Sequence, residues 1–195
     1  MRARVASQAG WRAVFAAAAL GADLSLAAAQ GGEPWFARVQ KPEFQPRPVG
    51  DGGIVVEVPR KDWQVVPGSG EELATLVEKK KEATVLLERS PLQQALSFDE
   101  VTDVFVDLEK ERLREMNPGA TGFQTKLLQV GDSRRVVVVQ FTREGAGGPE
   151  LVRQYSYPEG RNLYRMICRT QVQRLKKYEP IFGHIAASFR PPRST

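Results

Sequence analysis

Histidine and cysteine are all but missing from this chain, with one of each in 195 residues. A zinc site assembled from cysteine and histidine ligands is therefore excluded. Cys168 cannot close an intrachain disulfide, and it lacks a histidine in its strand context to activate it. A lone thiol of this kind is expected to be buried. Glycine-rich stretches exist, GDGG (Gly50 to Gly53) and EGAGG (Glu144 to Gly148), but neither has the lysine and helix start of a phosphate loop. Gly68-Ser69-Gly70 lacks the spacing of a nucleophile elbow. Enzymatic chemistry, cofactor binding and metal binding thus have little to stand on, and the chain reads as non-catalytic.

Two further shortages concern long apolar runs and excess charge. The formal net charge is +5. Arg2, Arg4 and Arg12 precede a short apolar core, Ala13 to Ala22, and LAAAQ (Leu26 to Gln30) offers a small-x-small cleavage pattern after Ala29. Residues 1–29 read as an export signal. The competing reading is a membrane anchor, but the stretch falls short of the roughly 20 apolar residues of a span. No cysteine follows the apolar core, so the mature end carries no lipid attachment site. Residues 1–29 hold three of the 28 basic and one of the 23 acidic residues, which leaves 25 and 22 and a net charge of +3. That is too mild for a nucleic-acid partner, which requires a concentrated basic face.

Residues 30–52 are rich in proline and glycine and read as a tether, or as a partner-binding segment around Trp35, Phe36 and Phe44. The folded domain is expected over 53–192. IVVEVP (Ile54 to Pro59) and DWQVV (Asp62 to Val66) read as strands. Ser69 to Glu82 carries a capping-box pattern, Ser69 with Glu72, that is open to a helix. Val85, Leu86 and Leu87 favour a strand hairpin with a KKKE turn, and the hairpin is the reading adopted here. Four strand-like runs end the sheet: Gly122 to Val130, Arg134 to Arg143, Glu150 to Tyr157 and Asn162 to Thr170. Their short connectors, GDS, EGAGGP and PEG, imply an antiparallel meander. The VVVV run lacks alternation, as in a strand covered on both faces. The fold class is α+β: an antiparallel meander with helices on both faces.

Ser97 to Met116 reads as a helix with a buried stripe of Phe98, Val101, Phe105, Leu108 and Met116. Its acids Asp99, Asp103, Asp107, Glu109 and Glu111 fall off that stripe and read as a solvated face rather than metal ligands. A last helix is expected from Thr170, with Val172, Leu175, Tyr178, Phe182, Ile185 and Phe189 inward and a break or kink at Pro180. His184 lies roughly 150° from the centre of that cluster at 100° per residue, and is expected at the surface. Strand alternation puts Arg161, Arg165 and Arg169 on one face of NLYRMICRT. They form a candidate patch for an acidic protein partner or an anionic membrane surface. The competing reading is arginine stems packed over the sheet with their heads in water.

VEVPRKDW (Val56 to Trp63), the strand hairpin, the long helix, the meander and a closing IAASF (Ile185 to Phe189) together resemble the PsbP/DcrB-like superfamily, which includes the Ran-binding Mog protein. The resemblance covers 53–192. It implies an antiparallel sheet sandwiched between helices, in a group of non-enzymatic accessory proteins, and transfers no catalytic residue. The expected function is an exported, periplasmic or secreted accessory domain that docks on a protein partner. The alternative is a small-molecule carrier with a pocket between sheet and helix, lined by Tyr155, Tyr157 and Tyr164.

Overall fold

The computed structural model describes residues 42–50, 53–96, 101–130 and 134–191. The proposed signal and the first part of the tether lie outside these residues. Eight strands and two helices follow in the order β1 (Phe44–Val49), β2 (Ile54–Pro59), β3 (Trp63–Pro67), β4 (Glu72–Glu78), β5 (Ala83–Leu96), α1 (Asp103–Met116), β6 (Thr121–Val130), β7 (Arg134–Gly145), β8 (Gly148–Gln171) and α2 (Leu175–Ser188). β1 and β2 form a two-stranded antiparallel ribbon, and the others form one sheet ordered β3-β4-β5-β8-β7-β6. The fold is α+β, as the residue pattern implies.

β1 corrects the tether reading over its later part, Phe44–Val49. Phe44 to Val49 pairs with Ile54 to Pro59 in register. Pro46 and Pro48 occupy alternate positions, so their missing N–H groups fall on the outer edge of the ribbon. Proline content hid a strand that tolerates it.

β8 is continuous extended backbone over 24 residues, which fully stretched would separate its ends by roughly 80 Å. Yet the Gln171 side-chain amide donates to the Gly147 carbonyl at 3.0 Å. Ser156 and Arg165 both reach the same carboxylate oxygen of Glu109. β8 therefore doubles back near Gly160, whose φ of 58° suits a residue without a Cβ. Its first arm pairs with β7 and its second with β5. The PEG connector turns the chain as expected.

The sheet has two covered faces. On one, Val85, Leu87, Val136, Val138, Tyr155, Tyr157, Tyr164, Met166 and Cys168 pack against β1, β2 and α2. Burial pushes the Cys168 thiol's pKa up, so it stays neutral. On the other, Val137, Val139, Phe141 and Val152 pack under α1. The four consecutive valines are all buried because both faces are occupied. Tyr155, Tyr157 and Tyr164 belong to this core, where Tyr157 and Tyr164 face Phe189 at 5.0 and 6.1 Å.

Both helices depart from their expected bounds. α1 starts after Thr102, five residues later than expected, and buries Val106, Glu109 and Leu113. Val104, Leu108 and Met116 point outward; Ser97 and Phe98 lie outside the described residues. Thr170, one residue before the end of β8, donates its hydroxyl to the Glu82 carbonyl instead of capping a helix. A short 3-10 turn, Val172–Arg174, leads into α2, which runs unbroken through Pro180. Tyr178, Phe182, Ile185 and Ala186 face the core as expected, whereas Val172 is exposed.

Candidate functional site

Strand alternation places Arg165, Ile167 and Arg169 on the α1 face, as expected. They do not form one exposed patch. Arg161, at the turn of β8, is exposed. The Arg165 side chain is only 13% exposed, and its Nε lies 3.7 Å from Glu109. Its Nη1 donates to the Ser90 hydroxyl at 2.8 Å. Burial, together with the nearby Arg112 charge, lowers its pKa, while the Glu109 charge works the other way.

Glu109 is the residue that reading by stripes missed. It sits three residues after Val106 and four before Leu113, on the buried line of α1. Its carboxylate accepts from Arg112 at 3.0 Å, from Gln154 at 2.9 Å and from Ser156 at 2.9 Å. Burial raises its pKa, but the Arg112 bond and charge, the Arg165 charge and the Ser156 hydroxyl outweigh that, and the carboxyl ends below its ordinary range. The signal was present in sequence as acid and base on facing apolar elements: Glu109 on α1, Arg165 on β8. The cluster ties α1 to the sheet with a fully engaged acid, an arrangement suited to holding structure.

Arg169 differs from its neighbour. Its Nε, like that of Arg165, is closed off from solvent and has no hydrogen-bond partner, but among the described residues its guanidinium has no ion pair, whereas Arg165 has Glu109. It lies beside Thr84 of β5 on the sheet face.

A second cluster joins α2 to the ribbon. His184 Nε2 and Glu57 Oε2 are 2.6 Å apart, and Phe44 stacks on the imidazole at 3.6 Å. His184 is thus outside the core but not a free surface residue, which corrects the expected placement. The covering strand β1 was hidden in the supposed tether. Ser188 lies one turn on, so the residue types of a hydrolytic triad meet here. Their wiring differs: Ser188 Oγ donates to the Ile185 carbonyl and accepts from the Glu57 amide, both at 2.9 Å. Serine is committed to backbone, and histidine and glutamate act as a latch. His184→Ala should cost about 1–2 kcal/mol in urea denaturation, from the ring stack and the bond together. A loss under about 0.5 kcal/mol, the ordinary surface range, would show that the latch does not hold the ribbon.

A third cluster is structural too. Glu82 accepts from Lys177 at 2.9 Å and Tyr178 at 2.8 Å, and these bonds hold its pKa down at about 2. Among the described residues no group of three or more His, Cys, Asp or Glu is placed to hold a metal ion. Among them, too, no helix is long and apolar enough to cross a membrane.

No protein-family model matches the chain, and no curated protein matches it. Solved structures do. Cyanobacterial PsbP from Synechocystis is 12% identical, with 80% of this chain and 96% of that one aligned at a TM-score of 0.56. LpqN, described as involved in cell envelope biogenesis of Mycobacterium tuberculosis, is 15% identical, with 80% and 95% aligned at a TM-score of 0.51. At such identity the likeness concerns fold and nothing finer. The sheet between two helices, with its N-terminal ribbon, is the PsbP-like fold that the residue pattern resembles.

Proposed function

We propose that this chain is an exported, non-catalytic accessory domain that works by docking on a protein partner of the cell envelope. The observation that supports this reading is the edge of the sheet at β6, which is open among the described residues. The opposite edge, β3, has five residues and ends in Pro67, which blunts it. β6 has ten residues, one charge and no proline. Leu127 and Leu128 alternate to opposite faces and are each 38% exposed. An edge of this length and composition is a template for an added strand. Exposed Lys126 and Arg135 beside it favour an extended partner segment that carries acidic residues. The clusters at Glu109, Glu57 and Glu82 meanwhile spend their charges inside the fold. Arg161 and Arg169 remain the candidate second contact, with Arg165 withdrawn from it.

The test is crosslinked capture from the native envelope with the wild type and with a Leu127→Lys, Leu128→Lys variant. A specific partner should be recovered with the wild type and fall at least about tenfold with the variant, since added charge blocks edge pairing. The variant's stability should stay within about 0.5 kcal/mol. Equal recovery by both would remove β6 as the docking edge. A partner lost instead with Arg161→Glu and Arg169→Glu would move the surface to the arginines.

A further inference from the structure

The sheet face beside α1 contains a cation, Arg169, that no acid among the described residues neutralises. Arg169 shares its rung across the sheet with Thr84 of β5, Val77 of β4 and Gln64 of β3. The next rung is Ile167, Leu86, Thr75 and Val66. Every one of these neighbours is neutral. The first acid farther along β5 on that face is Glu88, four residues past Thr84 and roughly 13 Å away along the strand. It lies opposite Arg165. Glu82, at the other end of β5, is taken by Lys177, Tyr178 and Arg174. A guanidinium whose Nε is hidden from water and unbonded carries an unrepaid desolvation cost. Such a group is stable in place if an anion completes it.

The strip beside it is apolar. Val66 is 47% exposed, and Val77 and Leu86 are half-buried. α1 packs on β6 and β7, at the other side of the sheet. We infer that this face binds an anionic amphiphile, with a carboxylate or phosphate head on Arg169 and an alkyl body along Val77, Leu86 and Val66. Thr84, on the neighbouring strand, supplies a neutral donor at the head. The two head chemistries share one requirement, a bidentate acceptor for a guanidinium. This site is separate from the β6 edge and stands or falls without it.

Calorimetry and native mass spectrometry of the purified chain would use decanoate and decyl phosphate below their micelle concentrations, decanol below its solubility limit, and inorganic phosphate. One or both decyl anions should bind, roughly tenfold or more tighter than decanol, and Arg169→Gln should erase that margin. Without ligand, Arg169→Gln should keep or raise the thermal midpoint, because it removes an uncompensated buried donor; Arg169→Lys should bind at an intermediate level. No binding by either anion at millimolar concentration would overturn the site, as would equal binding by Arg169→Gln. Inorganic phosphate binding as tightly as decyl phosphate would overturn the amphiphile and leave a free-anion site.

Discussion

Glu109→Leu should lower the stability of the folded domain by about 3–5 kcal/mol, the cost of breaking a buried ion pair by removing one partner. The substitution leaves Arg165, 13% exposed, facing α1 without its carboxylate. It also strips Gln154 and Ser156, 1% and 0% exposed, of the acceptor they share. Arg112 is nearer solvent and recovers by turning outward. Adding Arg165→Met to Glu109→Leu should restore much of the loss, because an apolar pair of similar volume needs no neutralisation. The sum of the single losses would then exceed the loss in the double variant, and urea denaturation of the four proteins measures that coupling. Additive losses would mean that the two charges do not interact. The pH dependence follows in sign. The folded pKa of Glu109 is depressed, so its contribution is complete above the ordinary carboxylate range and is lost as pH falls towards the folded value. Wild-type stability should therefore decline below about pH 5 more steeply than that of Glu109→Leu. Identical slopes would detach the cluster from acid stability.

The same residue shows where the sequence was legible and where it was not. Strands were readable because their signals are local. Val136 to Val139 announces a strand covered on both faces, and the glycine and proline of PEG announce the doubling back of β8. The hairpin of β4 and β5 was readable from Val85, Leu86 and Leu87 against a lysine turn. Helix rotation was not local. Phe98, Val101, Phe105 and Leu108 make as regular a stripe as Val106, Glu109 and Leu113, and the choice rests on where α1 begins. The charge of Glu109 counted against burial until Arg165, 56 positions later, was known to lie beneath it. β1 failed for a similar reason: two prolines read as tether until β2 is seen to need only the other side of the strand. His184 then changed its environment without any error in its helical angle. The arginines of β8 were placed on the right face, but which of them meets an internal acid was set by α1, not by their own alternation.

Phe182→Ala should cost about 3–5 kcal/mol, the range for truncating a fully buried aromatic ring. Phe182 is 0% exposed at the middle of the cluster formed by α2, the ribbon and the sheet. Its ring stacks on Tyr178 at 6.2 Å, one turn earlier on the same helix. Tyr178 in turn meets Trp63 of β3 at 6.3 Å, edge to face. One ring thus links α2 to the far edge of the sheet. Its neighbours are held in place by bonds of their own. Tyr178 donates to Glu82, and Tyr157 donates to the Ala186 carbonyl at 3.0 Å. Those bonds resist inward collapse, so the cavity should persist and the loss should fall at the upper end of the range. His184, two positions on, should lose only about 1–2 kcal/mol when truncated, because its partners are a half-exposed carboxylate and a single ring. Urea denaturation of both variants separates the anchor from the latch. A Phe182→Ala loss below that of His184→Ala would mean that α2 is held by the ribbon and not by the core.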